Sequence, residues 1–154
     1  MDNETHVIKA GSTAHGQFET DVSIERAGWE WSSIRVLALP AGGSETVTSG
    51  VSELLVLPLS GGCVVEVNGE THVLNGREEV WSAITDYLYI PREATFTIRS
   101  ESGGRFALPA AKATRDLPVR YCPVTEVVTT LRGAGPCSRQ VNNYALGNDL
   151  ETSH

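Results

Sequence analysis

Four histidines, three cysteines and a few neighbouring carboxylates are the residues of this chain best suited to chemistry, and their spacing limits what they can do. His6 and His15 fall in the N-terminal stretch, His72 in the middle and His154 at the last position, so no two stand at metal-ligand spacing. Cys63, Cys122 and Cys137 are odd in number and widely separated, with no Cys-x-x-Cys pair, which suits neither a disulfide framework nor a zinc ribbon. They read as reduced, ordinary residues, because nothing in the sequence supplies any of them with a base. Glu78-Glu79 and Asp86 are the closest acidic cluster, and paired carboxylates can do general acid–base work. Adjacent residues on a strand point to opposite faces, however, so Glu78 and Glu79 read as a solvated turn after Asn75-Gly-Arg77. Trp29, Trp31 and Trp81 can stack on a sugar ring, although large aromatics beside glycine turns more often pack. If extended, Trp29 and Trp31 share one face, which is expected to be covered. No glycine-rich phosphate loop, Gly-x-Ser-x-Gly elbow or Ser/His/Asp arrangement is present.

The elements that must position these groups are strands. Apolar residues recur in short runs or alternate in Ile34-Arg-Val-Leu-Ala-Leu39, Cys63-Val-Val-Glu-Val67, Tyr87-Leu-Tyr-Ile90 and Thr95-Phe-Thr-Ile98. Turn chemistry separates them at Ala41-Gly-Gly-Ser44, Ser60-Gly-Gly62, Asn68-Gly69, Asn75-Gly76 and Ser102-Gly-Gly104, the spacing of a sandwich or small barrel. Only Val124 to Leu131 reads as either helix or strand, and its Thr and Val content leans toward strand. Asn68-Gly69 predicts a type I′ hairpin, since both residues accept positive φ. The register follows: Val67 faces Glu70, Val65 faces His72 and Cys63 faces Leu74, while Glu66 and Val64 face Thr71 and Val73. His72 is thus the one histidine expected to enter a barrel, as hydrogen-bonded packing or as a catalytic base.

The chain has 154 residues, 40% of them hydrophobic, which is enough for one buried core and not for a second complete domain of similar size. A net charge of -7, from 19 acids against 12 bases, disfavours a nucleic-acid surface. The longest apolar run, Leu54 to Leu59, falls far short of the roughly 20 residues of a membrane helix. Met-Asp-Asn-Glu-Thr-His-Val lacks the basic and apolar segments of a signal peptide, so a cytoplasmic location is expected.

Leu54-Leu-Val-Leu-Pro-Leu-Ser-Gly61, the Asn68-Gly69 hairpin and Tyr89-Ile-Pro-Arg-Glu-Ala-Thr-Phe96 together resemble a cupin, an all-β jelly-roll barrel (double-stranded β-helix). A cupin's first motif carries His-x-His and then Glu seven residues before a Gly. With Gly61 as that Gly, the Glu position falls on Leu54 and the His positions fall among Val47, Thr48, Ser49 and Gly50. The second motif, Pro-x-Gly-x-x-His, maps onto Pro91, Glu93 and Phe96, so a hydrocarbon stands at the last ligand position and is expected to fill the barrel. A one-residue slip puts Glu53 at the acid position, where one carboxylate without imidazole partners still makes a weak transition-metal site. No metal is therefore expected in this chain.

A more specific resemblance rests on Ala27-Gly-Trp-Glu-Trp31, Leu57-Pro-Leu-Ser-Gly61, Asp86-Tyr-Leu-Tyr-Ile-Pro-Arg92 and, above all, Arg132-Gly-Ala-Gly-Pro-Cys-Ser-Arg-Gln-Val-Asn-Asn143. These segments resemble the 5-deoxy-glucuronate isomerase family of myo-inositol catabolism, whose members look like two cupin barrels in a chain of roughly twice this length. The resemblance implies a first barrel over residues 1–123 without a metal site, and over 124–154 a junction leading into a second cupin domain. It further implies an aldose–ketose isomerisation in which a divalent metal of that second barrel polarises the carbonyl while a base moves the proton. No catalytic residue is carried over to this chain. Arg139 and Gln140 in the junction can reach an anionic uronate, since Arg pairs well with carboxylates; their other reading is as hydrogen bonds tying linker to barrel. Partners expected on this basis are a small uronate-like sugar acid, the second barrel and a further copy of the chain in a homo-oligomer. The competing reading is a non-catalytic cupin module that binds a sugar acid or oligomerises.

Overall fold

The computed structural model describes residues 7–153, so His6 and His154 lie outside it. Eleven strands make up most of it: β1 (Phe18–Val22), β2 (Ser32–Leu39), β3 (Gly43–Thr48), β4 (Ser52–Val67), β5 (Glu70–Arg77), β6 (Tyr87–Ile90), β7 (Thr95–Ser100), β8 (Gly104–Lys112), β9 (Arg120–Cys122), β10 (Val128–Arg132) and β11 (Arg139–Asn143). One short helix, α1 (Ile24–Ala27), is started by the Ser23 side chain on the Arg26 N–H and closed by Gly28 in the left-handed conformation.

The chain folds as a cupin-like jelly roll. One layer has the strand order β1-β2-β8-β4-β6-β9, and β3, β7 and β5 form the other together with the second half of β4. Strand β4 belongs to both layers: its first half pairs with β6 and β8, and Val64–Val67 pair with β5 and β7. It turns the corner at Gly61, whose φ of 74° leaves a side chain no room: a Cβ there would meet the Gly103 carbonyl at 2.4 Å. The opposing Gly76 N–H and the Asn75 N–H are both held by the buried Asp86 carboxylate, at 3.0 and 2.8 Å.

The Asn68-Gly69 hairpin has the register read from the sequence, with Cys63 opposite Leu74, Val65 opposite His72 and Val67 opposite Glu70, and both turn residues have positive φ. His72 shares a face with the buried Leu74; its side chain is 18% exposed, and among the described residues Nε2 has no hydrogen-bond partner, with Glu70 Oε2 at 3.6 Å. Glu78 and Glu79 lie in an exposed turn, as expected.

Two expectations need correction. Trp29 and Trp31 are 49% and 48% exposed, because both precede β2 in irregular chain, with a bend at Glu30 and Trp31, and neither takes the alternating geometry of a strand. Residues 124–131 are not a continuous strand: Val124–Glu126 form a 3₁₀ turn after Pro123, where Glu126 reaches Arg120 at 2.8 Å, and β10 begins only at Val128.

Two apolar clusters organise the molecule. The main core lies between the layers and includes Leu37, Leu54, Val56, Val65, Leu88, Ile90, Phe96, Ile98 and Phe106. The second lies on the outer face of the first layer, where Tyr87, Cys122 and Val127 pack with Leu55, Leu57, Ile84, Tyr144, Ala145 and Leu150. Alternation explains both: on β4 and β6, Leu54, Val56, Leu88 and Ile90 point inward, whereas Leu55, Leu57 and Tyr87 point outward beneath the C-terminal segment. Among the described residues, strands β10 and β11 pair only with each other, in a separate two-stranded ribbon.

Candidate functional site

The positions at which a cupin holds its metal do not fit one here. Val47 and Phe96 stand opposite each other in the β3–β7 register, and both are buried in the core with Leu54; Phe96 is 1% exposed. The expectation that Phe96 fills the barrel is met. Ser49, one of the four residues among which the histidine positions fall, is occupied structurally. Its hydroxyl donates to the Pro91 carbonyl at 2.8 Å and accepts from the Ala94 N–H at 2.9 Å, which fastens the turn between β6 and β7. Glu93 has φ 56° in that turn, so it takes the conformation that the motif's usual glycine takes without strain. Among the described residues, no three His, Cys, Asp or Glu are grouped to hold a metal ion. Burial pushes the Cys63 thiol up to about 12, so it stays protonated and inert, and burial raises Cys122 as well. All three cysteines are free, with only Cys137 exposed.

Cavities around the barrel include two lined by described residues. One, of about 270 Å³, lies at the barrel mouth beside the former histidine positions and is lined by Asp21, Ser33, Arg35, Thr48, Ser49 and Ser52, among others. Arg35 stands opposite Asp21 in the β1–β2 register and opposite Leu108 in the β2–β8 register. Burial lowers its pKa, partly offset by the Asp21 charge, and its guanidinium carbon lies 5.7 Å from the centre of the Phe18 ring. Asp21 also pairs with His15 at 3.1 Å.

The second cavity, of about 240 Å³, lies on the outer face between the first layer and the C-terminal segment, lined by Glu53, Leu55, Tyr89, Pro109, Ala145 and Thr152, among others. Glu53 is buried there and fully used: it accepts from the Tyr89 hydroxyl at 2.7 Å and from the Ser153 N–H at 2.9 and 3.0 Å. Burial, followed by the hydrogen bond to Glu53, raises the Tyr89 pKa. Glu53 is therefore an anchor for the chain that crosses it. Glu53 is legible in the sequence as a lone acid, whereas its partner Ser153 lies 100 residues away and no local pattern links the two.

Arg139 and Gln140 lie on β11, both exposed, and line neither cavity. Their hydrogen bonds are local, Arg139 Nη1 to the Cys137 carbonyl at 3.4 Å and Gln140 Nε2 to Asn142 Oδ1 at 3.0 Å. Trp81 is 88% exposed.

With this geometry in view, the likeness to known proteins is informative. The chain is 28% identical over 139 residues to 5-deoxy-glucuronate isomerase of Halalkalibacterium halodurans, covering 84% of this chain and 48% of that protein. It is 27% identical over 124 residues to the Geobacillus thermodenitrificans enzyme of the same name, covering 79% of this chain and 45% of that protein. The chain thus spans about half the length of the curated relatives it matches. The crystal structure of an IolB-like protein from Salmonella typhimurium superposes with a TM-score of 0.79 at 26% identity, over 85% of this chain and 51% of that one. Protein YlbA of E. coli, at 16% identity and a TM-score of 0.57, shares the fold over 80% of this chain and 57% of its own. No helix among the described residues is long and apolar enough to cross a membrane. The KduI/IolB family model matches residues 6–154, and the chain belongs to that family.

Proposed function

We propose that this chain is the first barrel of a two-barrel aldose–ketose isomerase that converts 5-deoxy-glucuronate to 5-dehydro-2-deoxy-gluconate in myo-inositol catabolism, in the cytoplasm. The observation that carries the reading is a family match over residues 6–154 in a chain that spans about half the length of its curated relatives, in a barrel where the acid and last ligand positions hold Leu54 and Phe96 and no histidine stands among residues 47–50. A divalent metal and the proton-moving base then belong to the second barrel, which residues 124–154 lead into. This barrel supplies support. In this reading it presents the β10–β11 ribbon to its neighbour, and the exposed Arg139 and Gln140 on that ribbon would contact a uronate held there.

The ribbon supports this role because a lone two-stranded hairpin is marginal in water. Here it carries Leu131 at 83% exposure, a side chain that a packed neighbour would bury. The test is to join this chain to the C-terminal half of the Halalkalibacterium halodurans enzyme and assay isomerisation of 5-deoxy-glucuronate. The joined protein is expected to turn over and to lose activity with a chelator, while the 154-residue chain alone shows none. Turnover by the chain alone, at a rate near that of a full-length relative, would refute the reading.

A further inference from the structure

The barrel interior is apolar in its middle and polar at one end, and the change happens along single strands. On β2, Ser33, Arg35, Leu37 and Leu39 share one face by alternation. Leu37 lies between Phe18 and Phe106, all three packed in or against the core, and one step further Arg35 lies between Asp21 and Leu108. Strand β4 repeats the pattern, with Ser52 two residues before the core residue Leu54. One guanidinium, the two carboxylates of Asp21 and Glu25, and the hydroxyls of Ser23, Ser33, Thr48, Ser49 and Ser52 therefore line the mouth cavity of about 270 Å³.

Among these groups, Arg35, Asp21, Ser33 and Ser52 have unspent hydrogen-bonding capacity. Among the described residues, Arg35 makes one hydrogen bond, from Nη2 to the Thr48 carbonyl at 3.5 Å, the outer limit for such a contact. A guanidinium has five N–H donors and suits a planar carboxylate bidentately. Asp21 is engaged through Oδ2 with His15 and has its other oxygen available to accept. The hydroxyls of Ser33 and Ser52 make no hydrogen bond among the described residues, although Ser52 is a buried residue. The Phe18 ring against the guanidinium holds it in place, and partial desolvation strengthens whatever it binds.

The geometry points to a binding site at the barrel mouth for a small polyhydroxy carboxylate. Its carboxylate pairs with Arg35, and its hydroxyls donate to Asp21 and exchange hydrogen bonds with Ser33 and Ser52. The cavity is slightly below the roughly 300–1,000 Å³ of ordinary ligand sites, which restricts it to a molecule about the size of one sugar. Asp21 and the nearby Glu25, which also lines it, make the site a poor receptor for a compact dianion such as sulfate. The inference goes beyond the isomerase reading, which gives this barrel no ligand of its own, and it stands or falls separately.

The test is a titration of the isotope-labelled full chain with D-glucuronate, followed by amide chemical shifts, with methyl glucoside and sulfate as comparison ligands. Saturable shifts are expected at Asp21, residues 33–35 and residues 48–52, with a millimolar midpoint, and both comparison ligands should bind at least about tenfold more weakly. Arg35→Met is expected to weaken glucuronate about tenfold or more, and Ser52→Ala about threefold, with spectra otherwise unchanged. Absence of saturable shifts in the parent chain, equal response to sulfate or to the neutral glucoside, or undiminished binding in Ser52→Ala and Arg35→Met would overturn it. None of these results depends on turnover, so failure here leaves the isomerase reading intact.

Discussion

On the inner face of the first layer, Leu54, Val56, Leu88 and Ile90 meet the second layer of the barrel; on its outer face, one residue along on the same strands, Leu55, Leu57 and Tyr87 meet the segment that begins at Tyr144. The same strands therefore need two covers. The inner cover is hydrocarbon against hydrocarbon from a second sheet. The outer cover is thin, and named polar contacts hold it: Tyr87 Oη accepts from the Ala145 N–H at 3.0 Å and Asn148 Nδ2 at 2.8 Å, Tyr144 Oη accepts from the Thr85 N–H at 3.3 Å, and Glu53 takes the Ser153 N–H. The inner face shows what makes a jelly roll stable, and the outer face shows how a segment with little apolar content can be given one fixed path.

If that contrast holds, the largest loss should come from the inner face. Phe96→Ala removes a fully buried ring from the core and should cost about 3–5 kcal/mol, lowering the melting temperature by roughly 10 °C for a chain of this size. Calorimetry checks this. A drop no larger than that of an outer-face variant would mean that the two covers are equivalent.

Tyr87→Phe is the matching change on the outer face. It keeps the ring edge-on to Tyr144, with ring centroids 5.6 Å apart, but leaves the Ala145 N–H and the Asn148 amide without their acceptor. A cost of about 1–3 kcal/mol is expected. Limited proteolysis should show it as faster cleavage within residues 144–153 while the barrel stays intact. The variant also separates the faces by pH. Burial raises Tyr87 from its ordinary value of 10.0 to about 12, and Cys63, on the inner face, from 9.0 to about 12. Each group thus holds its proton more tightly when folded. The stabilisation is fully present below the ordinary values and is lost as pH rises through about 9 to 12. Chemical denaturation across that range should show a falling stability whose slope is reduced in Tyr87→Phe and further reduced in Tyr87→Phe/Cys63→Ala.

The two faces also differ in how far the sequence discloses them. The hairpin register, the inward Phe96 and the strand positions are local consequences of alternation and of Asn68-Gly69, so they can be read from neighbouring residues. The run Tyr87-Leu-Tyr-Ile90 already shows that both faces of β6 are apolar, but not what lies on the outside, because its cover arrives from Ala145 and Asn148, 58 and 61 residues later. The exposure of Trp29 and Trp31 has a related reason: the face they would share exists only if the chain there is a strand, and it is irregular with a bend at Glu30 and Trp31. Arg35 lies within a strand that alternation discloses, yet nothing in the sequence marks it out. Its alternation with Leu37 and Leu39 is legible, but its pairing with Asp21 needs the β1–β2 register, which no turn signature fixes.

The smallest effect on the isolated chain should come from the region that neither cover includes. Leu131 on β10 is exposed and contributes to no apolar cluster, so Leu131→Ser should change the stability of the chain by no more than about 0.5 kcal/mol. The β10–β11 ribbon keeps its five paired positions, from Val128 with Asn143 to Arg132 with Arg139, because none of those backbone bonds passes through the side chain. If the ribbon docks on a second barrel, the same substitution should weaken association with the C-terminal half of the Halalkalibacterium halodurans enzyme about tenfold or more, since a large apolar side chain buried at an interface contributes on the order of 1–3 kcal/mol. Denaturation of the chain alone, beside a binding titration of the two halves, reads both quantities. A variant that loses stability without losing association would place Leu131 in a third cover of this barrel, and the ribbon would then belong to the fold of this chain and not to its interface.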